Sequence, residues 1–299
     1  MIQHGGATVA EALRQAAETF ARHGFDQPAL NAEQLLCHIL SCRRTDLFIQ
    51  ATRRVDRDAL LAFQRSIGQR LGHVPLQYIT GSARFLTFEL SVAPGVFIPR
   101  PETEILVDEA IRRIQTHPHD NGAEVLIDLG TGSGNIAIAL ALAFPQARVY
   151  ATDLSEKALR VARENAGEQR CQERIHFLRG DLFEPFAADQ ATEPATAIIC
   201  NPPYIVRADI EALPPEVRDY EPRLALDGGP DGLDIVRRVV RESAAHLKVN
   251  GYLALEVGQG QAAQVKTLLR QEGHYGEIKV VKDLAGIDRV VLARHQGTH

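Results

Sequence analysis

Val125-Leu-Ile-Asp-Leu-Gly-Thr-Gly-Ser-Gly-Asn-Ile-Ala-Ile-Ala-Leu-Ala-Leu142 is the stretch from which the fold is read. Three β-prone apolar residues lead to Asp128, glycines follow at alternate positions, and an Ala/Ile/Leu run suited to a buried helix closes the unit. That is a strand, a glycine loop and a helix N-terminus. Alternate glycines admit positive φ and let a ligand approach the main chain without meeting a Cβ. A dinucleotide fingerprint, G-x-G-x-x-G/A, requires a third small residue at position 135, which is Asn135. The loop instead reads Asp128-x-Gly130-x-Gly132-x-Gly134, with a carboxylate placed to help hold a cationic amino group. Taken alone, it also fits a structural strand-to-helix turn or a nucleotide site of another kind.

With these residues the loop resembles that of the class I S-adenosylmethionine-dependent methyltransferases. That ligand carries an α-amino group, a ribose diol and an adenine, and no pyrophosphate. The next strand, Arg148-Val-Tyr-Ala-Thr-Asp153, ends in a carboxylate just over twenty residues after Gly130. A right-handed βαβ unit brings Asp153 beside the glycine loop, where its two oxygens suit two ribose hydroxyls. Its plainer reading is an N-cap for a helix beginning near Ser155, and the two roles are compatible. After the third strand, Gly180-Asp-Leu-Phe183 offers Asp181 to an adenine amino group and Leu182 to the ring face, with an ordinary turn as the alternative.

The 299 residues suffice for a full α/β domain and a smaller one. Apolar content of 45%, charged content of 24% and a net charge of −5 are those of an ordinary globular protein and argue against a mainly nucleic-acid-binding one. The longest apolar run, Ile136–Phe144, is far short of the roughly 20 residues that span a bilayer. Met1–Gly6 lacks a basic region followed by an apolar stretch, so no signal peptide is expected and a cytoplasmic location fits. Cys37, Cys42, Cys171 and Cys200 form no C-x-x-C pair and read as reduced thiols. His295 and His299 form the only H-x-x-x-H pair, in what reads as a frayed tail, and no metal site is expected.

Residues 1–73 read as a helical domain. Thr8-Val-Ala-Glu11 is a capping box, Asn31-Ala-Glu-Gln34 is expected to open a second helix, and Asp56 to cap a third that Gly72 stops. Residues 74–103 read as an extended linker with a short β-hairpin from Phe85 to Val92, followed by Val96-Phe-Ile-Pro-Arg-Pro-Glu-Thr-Glu104. The prolines flanking Arg100 deny helix until after Pro101, and this rigid charged segment suits either a plain linker or the wall of a substrate entrance. Residues 104–299 read as the catalytic domain. Strands near 125–129, 148–153, 175–179, 195–200, 251–257, 277–282 and 289–293 alternate with helices, giving a doubly wound, mainly parallel seven-stranded sheet with an antiparallel last pair.

The fourth of these strands ends in Asn201-Pro-Pro-Tyr204. Each proline forces its predecessor away from helix and has no N–H to donate, so the useful acceptors are the Asn201 side-chain oxygen and the Pro202 carbonyl. Two acceptors a few ångströms apart match the two N–H bonds of a planar –NH2 group, and Tyr204 offers an aromatic face to that plane. The arrangement suits methylation of an amide or amidine-like nitrogen. Such a nitrogen is a poor nucleophile, and the site must supply orientation and stabilise developing positive charge.

Five blocks together narrow the resemblance: Pro75-Leu-Gln-Tyr-Ile-Thr-Gly81, Val96–Glu104, Asp128–Gly134, Asn201–Tyr204 and Asp283-Leu-Ala-Gly-Ile-Asp-Arg-Val-Val291. They are similar to those of the peptide chain release factor glutamine methyltransferase family, called PrmC or HemK, and Ile287 departs from the Asn usual there. The resemblance implies methyl transfer from S-adenosylmethionine to the side-chain nitrogen of the Gln in the Gly-Gly-Gln motif of class I release factors. It implies that the helical domain and Phe97–Glu104 hold the factor, and a monomer that needs no nucleic acid or membrane is expected. It places the cofactor against Asp128, Gly130, Thr131, Gly132, Ser133, Gly134, Asp153, Asp181, Leu182 and Asn201. It places the substrate amide against Asn201, Pro202, Pro203, Tyr204 and Phe97, with Asn201 and Pro202 carrying the chemistry. The Asn-Pro-Pro-Tyr motif is shared with a ribosomal-protein glutamine methyltransferase and with nucleic-acid adenine N-6 methyltransferases, which stand as alternatives. Pro101–Glu104 favours the release-factor branch.

Overall fold

The computed structural model describes residues 6–116, 124–187 and 193–297. Two compact units are present, one formed by residues up to Gly81 together with Pro215–Tyr220, the other by Ser82–Pro214 and the chain from Glu221 onward.

The first unit is helical. Its helices Val9–Arg22, Pro28–Leu40, Arg44–Ile49, Arg57–Leu71 and Leu76–Thr80 enclose Phe20, Leu35, Leu36, Leu47 and Phe63. Thr8 and Asp56 cap as expected, the first with the full reciprocal box to Glu11. Asn31 does not open the second helix, which starts on Pro28 because proline's missing N–H is harmless in the first turn. Asn31 instead donates to the carbonyls of Asp26 and Gln27 and accepts from Arg70 Nε at 2.8 Å. Arg70, 7% exposed, is neutralised by Glu216 at 2.5 Å and lies over the Phe25 ring, while the Tyr220 hydroxyl donates to Gly72 O at 2.7 Å. These contacts fix Pro215–Tyr220 to the unit. The expected extended start at Pro75 is a short helix, Leu76–Thr80, ended by Gly81 in the left-handed region at φ 75°.

In the second unit, β1 (Ser82–Phe85) and β2 (Phe88–Ser91) form the anticipated hairpin. The main sheet contains β3 (Val125–Leu129), β4 (Arg148–Asp153), β5 (Ile175–Arg179), β6 (Ala195–Cys200), β7 (Leu247–Glu256), β8 (Tyr275–Lys282) and β9 (Asp288–His295). Their order is β5-β4-β3-β6-β7-β9-β8. Pairings are parallel as far as β7, and β9 is antiparallel to both β7 and β8. Every residue of β3 and β6 is buried, as a sheet covered on both faces requires. Leu126 joins helices Pro101–Thr116 and Asn135–Ala143 on one face, and Ile127 and Leu129 join Val236, Val239 and Val265 on the other.

Two further expectations change, one about a helix start and one about the chain's end. Helix Pro101–Thr116 begins on Pro101 rather than after it, again because the first turn needs no N–H there. Its Glu104 accepts from Leu86 N at 2.7 Å and so fastens the hairpin turn. His295 lies in β9 opposite Tyr275, 5% exposed, with its Nδ1 against Lys248 O, whereas His299 falls outside the described residues. Strand pairing thus holds what the sequence suggested was a frayed end.

Gly134 has φ 87°, and a Cβ there meets Ala162 Cβ at 3.1 Å and Ile138 Cδ1 at 3.2 Å. Helix Asn135–Ala143 consequently packs closely on helix Glu156–Glu168. Gly134→Ala is expected to lower stability by about 2–4 kcal/mol, combining left-handed backbone strain with overpacking. Gly260→Ala, also left-handed but with nothing within 4 Å of its Cβ, isolates the backbone part. Denaturant unfolding that gives equal losses for both variants would remove the packing explanation.

Candidate active site

The strand order reverses between β3 and β6, so their carboxyl ends form a topological switch point, where ligands of doubly wound sheets bind. Leu129 is paired with both Thr152 on β4 and Cys200 on β6, which brings the loops after all three strands into one row. A cavity of about 540 Å3 opens there, within the usual range for a small-molecule site.

Gly130 N and Thr131 N both donate to Thr152 O at 2.9 Å, binding the glycine loop to β4. Gly132 N donates to Asp153 Oδ2 at 2.9 Å, and Ser155 N to Asp153 Oδ1 at 2.8 Å. The carboxylate is therefore rigid and keeps acceptor capacity on both oxygens. The helix cap is Ser155, not Asp153: its side chain accepts from Ala158 N. Gly130 and Gly132 have φ of 71° and 57°, and a Cβ on either points into open space. The loop is thus a backbone cradle facing the cavity, which Gly130, Thr131, Gly132, Ser133 and Asp153 line.

Asp128 and Gly134 are placed differently from the expectation. Neither lines the cavity. Asp128 is fully buried beneath the loop, where its Oδ2 accepts from Thr131 Oγ1 at 2.6 Å and from Ala137 N at 3.1 Å. It braces the loop against the following helix, while its Oδ1 is buried without a hydrogen-bond partner. Burial raises its carboxyl to about 7. Gly134 serves the helix packing described above. A loop with two open glycines beside a rigid carboxylate with acceptor capacity on both oxygens suits a ligand that carries a diol.

Asp181 and Leu182 line the far side of the cavity. Asp181 is paired with Arg238 at 3.0 Å, and Leu182 takes the left-handed backbone at φ 51°. Across from them, Asn201, Pro202, Pro203 and Tyr204 line the wall formed by the end of β6, and Phe97 lines the rim. Arg100 lies 4.9 Å over the Phe97 ring and forms an ion pair with the buried Glu221, which also accepts from Ile98 N. The segment around Phe97 is thereby pinned to the sheet domain.

Three supports of this site escape sequence reasoning. Asn165, fully buried, accepts from Ser91 N and donates to the carbonyls of Ser91 and Ser133, tying the hairpin to the glycine loop. Gly228 and Gly232 back the Asn-Pro-Pro-Tyr main chain, since a Cβ would meet Pro203 O at 2.8 Å and Tyr204 O at 2.5 Å respectively. The cluster of glycines in Gly228-Gly-Pro-Asp-Gly232 was the available signal. Thr103 and Glu256 are the third. Asn201 Nδ2 donates to Thr103 Oγ1, which donates to Glu256, and the Tyr204 hydroxyl donates to the other Glu256 oxygen.

Residues 11–81 match the PrmC N-terminal domain and residues 90–213 the methyltransferase small domain. The release factor glutamine methyltransferase of Moorella thermoacetica is 41% identical over 286 residues, covering 96% of this chain and 98% of that protein. That of Gloeobacter violaceus is 49% identical over 219 residues, covering 73% and 74%. Among solved structures, the Thermus thermophilus 16S rRNA N2 G1207 methyltransferase in complex with AdoMet and guanosine has a TM-score of 0.50 at 19% identity, covering 72% of this chain and 50% of that one. The human methyltransferase 10 domain containing protein also has a TM-score of 0.50, at 16% identity, covering 68% and 86%. These two likenesses concern the fold, whereas the sequence relatives span both units, and the chain belongs to the release factor glutamine methyltransferase family.

Proposed function

We propose that the protein transfers a methyl group from S-adenosylmethionine to the side-chain nitrogen of glutamine in the Gly-Gly-Gln motif of class I release factors. The observation that carries this reading is the acceptor pair at the end of β6, Asn201 and Pro202, facing the glycine cradle across one cavity. The bound cofactor supplies an electrophilic methyl on a cationic sulfur. Gly130, Thr131, Gly132 and Ser133 cradle its amino-acid portion, with Asp128 bracing the loop from beneath. Asp153 receives the ribose hydroxyls, and Asp181 and Leu182 flank the adenine.

On the substrate side, Asn201 Oδ1 and the Pro202 carbonyl accept the two N–H bonds of the glutamine amide and set its lone pair toward the methyl carbon. Pro203 stiffens that wall, Tyr204 backs it and Phe97 guides the side chain in. With the cofactor bound, the amide nitrogen would take the methyl carbon as the carbon–sulfur bond breaks, the sulfur would keep the bonding pair, and one nitrogen-bound proton would leave to solvent. Both acceptors bind more strongly as the nitrogen becomes positive, so their contribution is larger in the transition state than in the ground state. The N-terminal unit, residues 1–73 in the sequence division, grips the factor, and residues 74–103 line the approach. The protein acts as a cytoplasmic monomer and needs no nucleic acid; no helix among the described residues is long and apolar enough to cross a membrane.

Incubation with methyl-labelled cofactor and either a release factor or adenine-containing oligonucleotides tests the substrate. Label is expected in the factor, at its Gly-Gly-Gln glutamine; label confined to the oligonucleotide would sink the reading. Asp153→Ala is expected to weaken cofactor binding by roughly tenfold to a hundredfold, since two charge-assisted hydrogen bonds are lost and water restores part of them. Unchanged affinity by calorimetry would confine Asp153 to holding Gly132 and Ser155. Asn201→Ala is expected to slow single-turnover methylation by about 10² or more, the scale of one preorganised polar group, with little change in cofactor affinity. Wild-type turnover in that variant would move the acceptor role elsewhere.

A further inference from the structure

Asn201 presents a carboxamide with two dissimilar ends, and only one of them suits the chemistry above. An –NH2 group on the substrate needs the oxygen; the amide nitrogen would set donor against donor. What decides the orientation lies behind Asn201, away from the cavity. Its Nδ2 donates to Thr103 Oγ1 at 3.0 Å. Thr103, 1% exposed, is in the first turn of helix Pro101–Thr116, and its hydroxyl donates to Glu256 Oε2 at 2.7 Å. Glu256, also 1% exposed, is the last residue of β7, and its Oε1 accepts from the Tyr204 hydroxyl at 3.3 Å.

A hydroxyl has one proton to give. An ionised Glu256 can only accept, so the Thr103 proton is committed to it. Thr103 is then an acceptor toward Asn201, and the atom facing it has to be the amide nitrogen. The oxygen is left for the ligand. We propose that Thr103 and Glu256 are positioning residues for the methyl transfer: the buried carboxylate orients the Thr103 hydroxyl, which in turn holds the Asn201 carboxamide with its oxygen toward the substrate nitrogen. The orientation is a property of this chain, and only its kinetic consequence rests on glutamine being the substrate.

Glu256 is faced by Thr103 and Tyr204 through hydrogen bonds, by Glu102 and Arg289 through charge, and by the Cys200 thiol on neighbouring β6. Burial outweighs the two hydrogen bonds and raises its carboxyl to about 7. Below that pH the acid carries a proton of its own, can donate to Thr103, and releases the constraint. The turnover of the wild type therefore has an acid limb, falling as pH drops through about 7.

Thr103→Val keeps the shape and deletes the hydroxyl; Glu256→Gln keeps the shape and lets position 256 donate as well as accept. Both are expected to lower kcat for factor methylation by roughly tenfold to a hundredfold, the scale of a misplaced reacting group, with KM and cofactor affinity far less changed. Thr103→Ser restores most of what Thr103→Val loses. Glu256→Gln has a shallower acid limb than the wild type, keeping only the part that Asp128, raised to the same range, contributes. The double variant Thr103→Val/Glu256→Gln loses no more than Thr103→Val, because both act through one amide. Independently of activity, nitrogen-15 NMR reads the Asn201 side-chain N–H protons, assigned by their absence in Asn201→Ala. They are expected to be protected from exchange in the wild type and in Thr103→Ser, and to lose protection in Thr103→Val. Equal exchange in wild type and Thr103→Val overturns the proposal, as does an undiminished kcat in Thr103→Val where the wild type labels the factor. A wild type that labels no factor refutes the substrate reading, and the exchange result then decides the orientation by itself.

Discussion

The site depends on one pairing, that of β6 alongside β3 in parallel. The chain leaves β3, builds β4 and β5 on one side, then returns to lay β6 on the other. The two strand ends therefore open toward each other with no helix between them. Both strands are buried on both faces, and alternate residues serve different hydrophobic layers: Leu126 on one side, Ile127 and Leu129 on the other. A slip of one residue would turn every side chain of β6 to the wrong layer, so the register is strongly specified. With Leu129 fixed opposite Thr152 and Cys200, the glycine loop, Asp153 and Asn201 have their relative places before any ligand arrives.

What the sequence disclosed is what a strand end carries locally. The glycine loop, Asp153, the Asn201-Pro-Pro-Tyr204 corner and the antiparallel last strands are each written in a few consecutive residues, and the sheet brings them together by topology alone. What escaped it is contact across large separations. Thr103 reaches Asn201 over 98 positions and Glu256 over 153. A threonine in a helix first turn and a glutamate at a strand end have no pattern of their own. The same limit explains Asn31, whose sequence context suits a helix start but whose carboxamide is claimed by Arg70.

Motif membership also overstated uniformity of role. Asp128, Gly130, Gly132 and Gly134 belong to one sequence motif, yet only the middle two open onto the cavity. The outer two hold the loop in shape, Asp128 through Thr131 and Ala137, Gly134 by admitting Ala162. Spacing in a sequence identifies such a loop; the side on which each residue works depends on what packs behind it.

The carboxyl edge of the sheet also carries a charge problem. Asp128 in β3 and Glu256 in β7 are both buried carboxyls raised to about 7, with β6 between them. Their common neighbour is Cys200, whose thiol is pushed well above its ordinary value by burial and then by both carboxylates. A neutral, compact side chain at that position separates the two charges without adding a third. Because each acid binds its proton more tightly folded than unfolded, ionising it weakens the fold as pH rises from the ordinary carboxylate range through about 7. Hydrophobic residues in both places would remove that penalty. The presence of both acids is intelligible as stability given up for orientation, Asp128 holding the glycine loop against the following helix and Glu256 commanding the Thr103 proton. On that view the apolar sheet supplies the stability that lets two buried acids at its edge aim the groups lining the cavity.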